Sequence, residues 1–153
     1  MHKHEEQQLD RSSDTGLTVQ SSTFRFLGKD VTEFQGFDTF PTPPNMESVT
    51  MTSDEVTSLC PITGQPDWYT VTIHYSPRSA EDGGLCLESK SLKLYFQSFR
   101  NEGLFCEAFA SKVADDIYEA LKPLAATVTV VQKPRGGIGI TASAQKMQSE
   151  ANG

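Results

Sequence analysis

Hydrophobic and polar positions follow two different periods along this chain, and the switches between them lay out its elements. Between Trp68 and Tyr75, Val71, Ile73 and Tyr75 fall on one side and Thr70, Thr72 and His74 on the other, the period-two pattern of a half-buried strand. Glu47 to Thr52 predicts an earlier strand, and Leu85 to Leu87 a short one. Thr127 to Gln132 predicts another, with Val128 and Val130 on one side, and Ile138 to Ala142 a last one. In the middle the period becomes helical. Leu92, Tyr95, Phe96 and Phe99 recur after Ser89, which reads as an N-cap, and Asn101 to Gly103 breaks that helix. Phe109, Val113, Ile117 and Leu121 then mark one stripe of a second helix from near Leu104 to Leu121, which Pro123 stops. Strand, strand, two consecutive helices, strand, strand is an α+β order. It suits an antiparallel sheet with both helices on one face. The other face is left to solvent or to neighbouring subunits.

The flanks carry neither period. Residues 1–20 are polar and read as a disordered N-terminal arm, residues 21–144 as a single domain, and residues 145–153 as a flexible tail. His2 and His4 read as part of a solvated tail rather than as a metal pair. Phe24, Phe26, Phe34, Phe37 and Phe40 recur without a clean period and predict an extended segment docked on a core or on a neighbour. The prolines from Pro41 to Pro44 end it.

Charge and cysteine usage narrow the function. With 153 residues, one domain is the expectation. Thirteen basic and 20 acidic residues give a net charge of -7, with no basic run, a poor match for nucleic acid or an anionic membrane. No apolar run reaches membrane-spanning length, and the N-terminus has no apolar signal core. Cys60, Cys86 and Cys106 are an odd set without CxxC spacing, which argues against a disulfide framework and for a reduced, cytoplasmic protein with no metal site.

Two stretches carry candidate chemistry. From Ser58 to Asp67, Pro61, Gly64 and Pro66 impose a rigid turn that presents Cys60 seven residues before Asp67. A cysteine there is either a small buried apolar residue or a nucleophile. A nucleophile needs a local feature that favours the thiolate, and Asp67 serves it best as a buried, protonated donor. From Glu88 to Phe96, Lys90 and Lys93 share a helix face beside Ser89 and Ser91. They are either a solvated face or a phosphate holder. There is no GxGxxG after a strand and no Walker loop. Glu88 and Glu107 flank the first helix, and a carboxylate matches the paired donors of a guanine-like edge.

Taken together these stretches resemble the NADPH-dependent 7-cyano-7-deazaguanine reductases, the nitrile reductases of queuosine biosynthesis. Residues 57–67 are similar to that family's nucleophile loop, and residues 88–95 to its NADPH signature. Residues 98–101, Glu107 and residues 134–138 follow in the right order. The resemblance runs from about Asp54 to Ile140, and the length suits the family's short, single-module branch. It implies a tunnelling fold (T-fold) assembled into a multi-subunit barrel, a homo-oligomer expected as a decamer of two pentamers, with sites between subunits. It also implies catalytic roles for Cys60, which adds to the nitrile carbon to form a thioimide, and for Asp67 as proton donor. Leu87, Glu88, Ser89, Cys106 and Glu107 are the implied substrate contacts. Lys90, Ser91, Lys93, Tyr95, Arg135 and Gly136 are the implied contacts to NADPH. The substrate is a small neutral base, so no nucleic acid is bound directly.

One position departs from the pattern. The family usually has a histidine before the glutamate corresponding to Glu107, and here that position is Cys106. Water, or His74, is then expected to stand in, or activity is altered; a reversible disulfide between Cys106 and Cys60 is a further expectation under oxidation. Three rivals remain. An amidine-forming branch shares the thioimide but lacks the cofactor signature. A cyclohydrolase of the same fold needs a zinc set absent here. A non-catalytic deazapurine-binding module is the third.

Overall fold

The computed structural model describes residue 25 and residues 31–149; the expected N-terminal arm, Phe24 and Phe26 lie outside them. Elements follow the order β1 (Thr39–Pro41), β2 (Val49–Leu59), β3 (Pro66–Ser76), β4 (Leu85–Leu87), α1 (Ser89–Gln97), α2 (Cys106–Leu121), β5 (Ala125–Arg135) and β6 (Ile138–Met147). The main sheet is antiparallel throughout, in the order β2-β3-β5-β6, and β1 pairs with β4 in a small second sheet.

The alternation read from the sequence sets which face is buried. Tyr69, Val71, Ile73 and Tyr75 of β3 and Val128 and Val130 of β5 are fully buried. They meet the α2 stripe of Phe109, Val113, Ile117 and Leu121. Truncating any of these large side chains to alanine costs about 2–5 kcal/mol, lost transfer energy plus cavity. The opposite face is a ladder of hydroxyls: Thr52 pairs with Thr72 at 3.2 Å and Thr129 with Ser143 at 3.0 Å. Phe34 docks edge-on to the Tyr95 ring and Phe37 tilted against it, at 5.2 and 4.8 Å between centroids, so these two members of the irregular aromatic run pack on the core.

Several boundaries differ from expectation. β2 runs on to Leu59, past the charged run Ser53-Asp54-Glu55, because a register shift between Ser53 and Val56 absorbs the interruption as a bulge. Pro41 ends the first segment as expected, as the last residue of β1, opposite Leu85. The cap of α1 is Glu88 rather than Ser89. Its carboxylate accepts the N–H groups of Lys90 at 2.7 Å and Ser91 at 2.9 Å, and its charge sits at the positive end of the helix dipole. β6 extends to Met147, which pairs with Ala125, so Gln145, Lys146 and Met147 belong to the sheet and not to a frayed tail. Polar composition misleads there because an edge strand with one solvated face needs few apolar residues.

Candidate active site

The turn from Cys60 to Gln65 closes on itself. Cys60 N–H donates to the Gln65 carbonyl at 2.7 Å, and Gly64 N–H donates to the Cys60 carbonyl at 2.9 Å. The segment after α1 locks the base of this turn. Leu59 N–H donates to the Glu102 carbonyl at 2.9 Å and Leu104 N–H to the Leu59 carbonyl at 3.1 Å. Gly103 makes this approach possible, since a Cβ there would lie 3.3 Å from the Pro61 Cα. That bridge delivers the start of α2, with Cys106 and Glu107, to the nucleophile end of the sheet.

Cys60 is 7% exposed, although the rest of its turn is solvent-facing. Its thiol is pulled down from the ordinary range to about 7. The Thr63 hydroxyl contributes most, followed by the backbone N–H groups of Thr63 and Ile62. Burial opposes them, and the Arg135 guanidinium adds a last donor. These donors favour the thiolate because each hydrogen bond is stronger to a charged sulfur.

Asp67 is the second residue of β3 and is 3% exposed. Its Oδ1 accepts Arg135 Nε at 2.7 Å and Gln132 Nε2 at 3.2 Å, and its Oδ2 accepts a second Arg135 nitrogen at 3.4 Å. Arg135, expected at the cofactor, therefore faces the nucleophile pair in this subunit. Gly136 follows it in a tight turn, with φ of 58° at Gly136 and 80° at Gly137, the left-handed pair that a two-residue hairpin demands. Cys106 is buried with its Sγ 3.7 Å from the Val130 carbonyl, and burial, then the Glu107 charge, push its thiol up. Nearby, Ser58 donates to the Tyr69 hydroxyl at 3.0 Å, and burial raises that phenol. His74 is elsewhere: its Nδ1 lies 2.8 Å from the Thr50 hydroxyl on the exposed sheet face, so it does not stand in for a histidine at position 106. All three cysteines are free.

The second set of expected residues begins at the other end of β3, from which α1 runs back along β2. Leu87 is buried and donates its N–H to the Tyr75 hydroxyl at 3.0 Å. Asp67 and Tyr75 are eight residues apart on one strand, or roughly 26 Å at about 3.3 Å per residue. Ser89 and Lys93 are exposed and line a groove of about 280 Å³ with Met51, Glu55 and Phe96. Lys90 is half-buried on the same first turn. Ser91 and Tyr95 are committed to the fold. Ser91 is buried, donates to the Glu88 carbonyl at 2.9 Å and accepts Asp38 N–H at 3.0 Å. Tyr95 donates to Asp116 at 2.6 Å, its ring is enclosed by aromatics, and burial raises its phenol strongly. Neither turns a polar atom outward.

Sequence reasoning missed Thr63, the strongest donor to Cys60, and Gln132. Both carried a signal. Thr63 lies inside the quoted turn, and Gln132 is a polar residue in phase with the inward Val128 and Val130.

A thiol held below its ordinary range and a buried, ion-paired carboxylate, linked through Arg135 on an antiparallel α+β sheet, make a candidate nucleophile site. Comparison with known proteins gives the family. A model of the QueF-like protein family matches residues 66–151. The NADPH-dependent 7-cyano-7-deazaguanine reductase of Frankia casuarinae is 46% identical over 109 residues, covering 71% of this chain and 83% of that one. Those of Chlorobium phaeovibrioides and Syntrophus aciditrophicus are 42% and 40% identical, covering 67% and 81% of this chain and 84% and 86% of theirs. The crystal structure of the archaeosine synthase QueF-Like in the apo form shares the fold, with a TM-score of 0.59 and 23% identity, over 67% of this chain and 96% of that one. The chain belongs to the QueF-like protein family. Its fold is the T-fold of that family.

Proposed function

We propose that this chain reduces the nitrile of 7-cyano-7-deazaguanine to the primary amine, 7-aminomethyl-7-deazaguanine, with NADPH, in queuosine biosynthesis. The observation that carries the reading is the Cys60 thiol, lowered to about 7, with the Arg135 guanidinium shared between it and the buried Asp67. The relatives bearing the reductase name supply the substrate and the cofactor.

The chemistry follows from the residues. The Cys60 sulfur forms a bond to the nitrile carbon as one C–N π bond breaks. The nitrogen takes a proton from Asp67, which received it from the thiol. The product is a neutral thioimide, with atoms and charge balanced. NADPH, when bound, would supply the two hydrides; with two protons these would carry the adduct through an imine to the amine, Cys60 leaving as a thiolate when the imine forms. Ser89, Lys90 and Lys93, within the first two turns of α1, fit an anionic cofactor, since two cations and a helix N-terminus favour phosphate. Glu88, Cys106 and Glu107 are the proposed contacts to the base. Glu88 already holds two N–H groups, so Glu107, exposed on the first turn of α2, has the carboxylate better placed to accept from the ring.

The site is complete only between copies. Cys60 and the start of the α1 signature are set apart along β3, and β2 and β6 are edge strands of the main sheet. A ring in which β6 of one copy pairs with β2 of the next closes both edges and joins the two halves. We place this protein in a barrel of two five-membered rings. Among the described residues no helix is long and apolar enough to cross a membrane.

The test is turnover of the cyano base with NADPH, followed by nicotinamide absorbance and product mass. Consumption of two NADPH per amine supports the proposal. An amidine formed from ammonia without NADPH, or thermal stabilisation by the base without turnover, overturns it. For the assembly, mixing inactive Cys60→Ala chains with Lys90→Ala/Lys93→Ala chains, at NADPH well below the raised KM of the latter, should restore part of the activity. No recovery in a mixed oligomer contradicts a site shared between copies.

A further inference from the structure

Asp67 and Cys60 belong to one hairpin, yet the groups that hold Asp67 come from another strand. Gln132 and Arg135 are three residues apart on β5 and in a regular strand would point to opposite faces. They do not, because the register of β5 on β6 slips between Gln132 and Arg135. Pro134 sits in that slip, where a residue without an N–H is tolerated. The slip turns both side chains onto the same carboxylate: Gln132 Nε2 at 3.2 Å and Arg135 Nε at 2.7 Å, both on Oδ1. Gln132 is buried, so its amide is fixed, whereas the Arg135 side chain is 41% exposed. The same guanidinium also helps to hold the Cys60 thiol below its ordinary range.

We propose that Gln132 and Arg135 are positioning residues for the nucleophile pair: Gln132 fixes the Asp67 carboxyl, and Arg135 is a shared counter-ion that passes between carboxylate and sulfur. The inference rests on the nitrile-reductase reading for its substrate, but it concerns the free enzyme. At rest the cluster is a thiol, a carboxylate and a guanidinium. When the thiol proton moves to Asp67, it becomes a thiolate, a carboxylic acid and the same guanidinium. Net charge is unchanged and no proton leaves. Arg135 stabilises whichever partner is anionic, so the transfer separates no new charge. Thioimide formation then moves the proton from Asp67 to the nitrile nitrogen and returns Arg135 to the carboxylate. Oδ2, which receives only the long Arg135 contact, is the oxygen best placed to carry the proton. The other groups facing this cluster are Tyr69 of β3 and, from α2, Cys106 and Glu107. Burial raises both Tyr69 and Cys106, which leaves Glu107 as the remaining charge.

The experiment is the pH dependence of iodoacetamide alkylation, read at the Cys60 peptide by mass spectrometry, in the full-length protein without substrate or cofactor. Arg135→Ala should move the midpoint upward, by less than Thr63→Val does, because Arg135 is the smallest of the donors that hold the thiol down. Arg135→Lys should restore most of that midpoint, because the charge remains, while kcat stays low for want of the fork. Gln132→Leu, which keeps the site filled, should shift the midpoint less than Arg135→Ala does and lower kcat with KM for NADPH unchanged. Circular dichroism on each variant shows whether the fold is kept. An Arg135→Ala profile superimposed on the parent's, with only the KM for NADPH raised, overturns the proposal and leaves Arg135 a cofactor contact. Alkylation does not depend on turnover, so a protein that fails to reduce the nitrile can still show the shift, and the two readings fail separately.

Discussion

At the Asp67 end of β3, one subunit brings together everything it needs to activate a sulfur: Thr63 and the turn amides on Cys60, Gln132 and Arg135 on Asp67. At the Tyr75 end, the polar groups of the α1 signature are divided. Glu88, Ser91 and Tyr95 are spent on the helix cap, on Asp38 and on Asp116, and Ser89 and Lys93 face outward. One end is preorganised chemistry and the other is a scaffold that presents charge. The difference teaches that one sequence motif serves two purposes. Glu88 and Ser91 build the helix start, Tyr95 ties α1 to α2, and Lys93 faces outward.

This contrast is breakable by mutation. Cys60→Ala should abolish NADPH consumption entirely while base binding, followed by thermal shift, persists. Asp67→Asn should lower kcat by about 10²- to 10⁴-fold, the usual share of a positioned proton donor. Lys90→Ala with Lys93→Ala should raise the KM for NADPH roughly tenfold or more, as loss of charge-assisted contacts does, and leave Cys60 alkylation unchanged. Movement of both readouts together would erase the distinction between the two ends. Cys60 alkylation in the parent should rise with pH through a midpoint near 7: the thiol's value is lowered, so the reactive thiolate dominates above it and is lost as pH falls through it. Thr63→Val should push that midpoint up. The smallest effect is expected for Tyr95→Phe, which removes the bond to Asp116 and costs about 1 kcal/mol of stability in a denaturant titration, with kinetics unaltered.

What was legible in the sequence was what periodicity encodes. Val71, Ile73 and Tyr75, and the Phe109 stripe, declare their faces without help because burial is a repeated, local pattern. The nucleophile turn was legible from its prolines and glycine. The β2 bulge, the length of β6 and the Glu88 cap were not, since each depends on a partner strand or on a side chain folding back on its own backbone. The placement of Arg135 was hidden for the same reason. It follows from a slip at Pro134, and no spacing rule tells a cofactor arginine from one aimed at Asp67. Position 106 was legible as a departure, but the sequence offered His74 as its replacement. The ladder register instead places His74 opposite Thr50 on the outer face.

The most direct test is the mass of the intact protein after incubation with the cyano base alone, with no reduced cofactor to carry the adduct onward. A gain equal to one molecule of base, mapped to the Cys60 peptide and missing in Cys60→Ala, is the predicted result. A protein that binds the base yet keeps its original mass at every pH from below to above 7 contradicts the account.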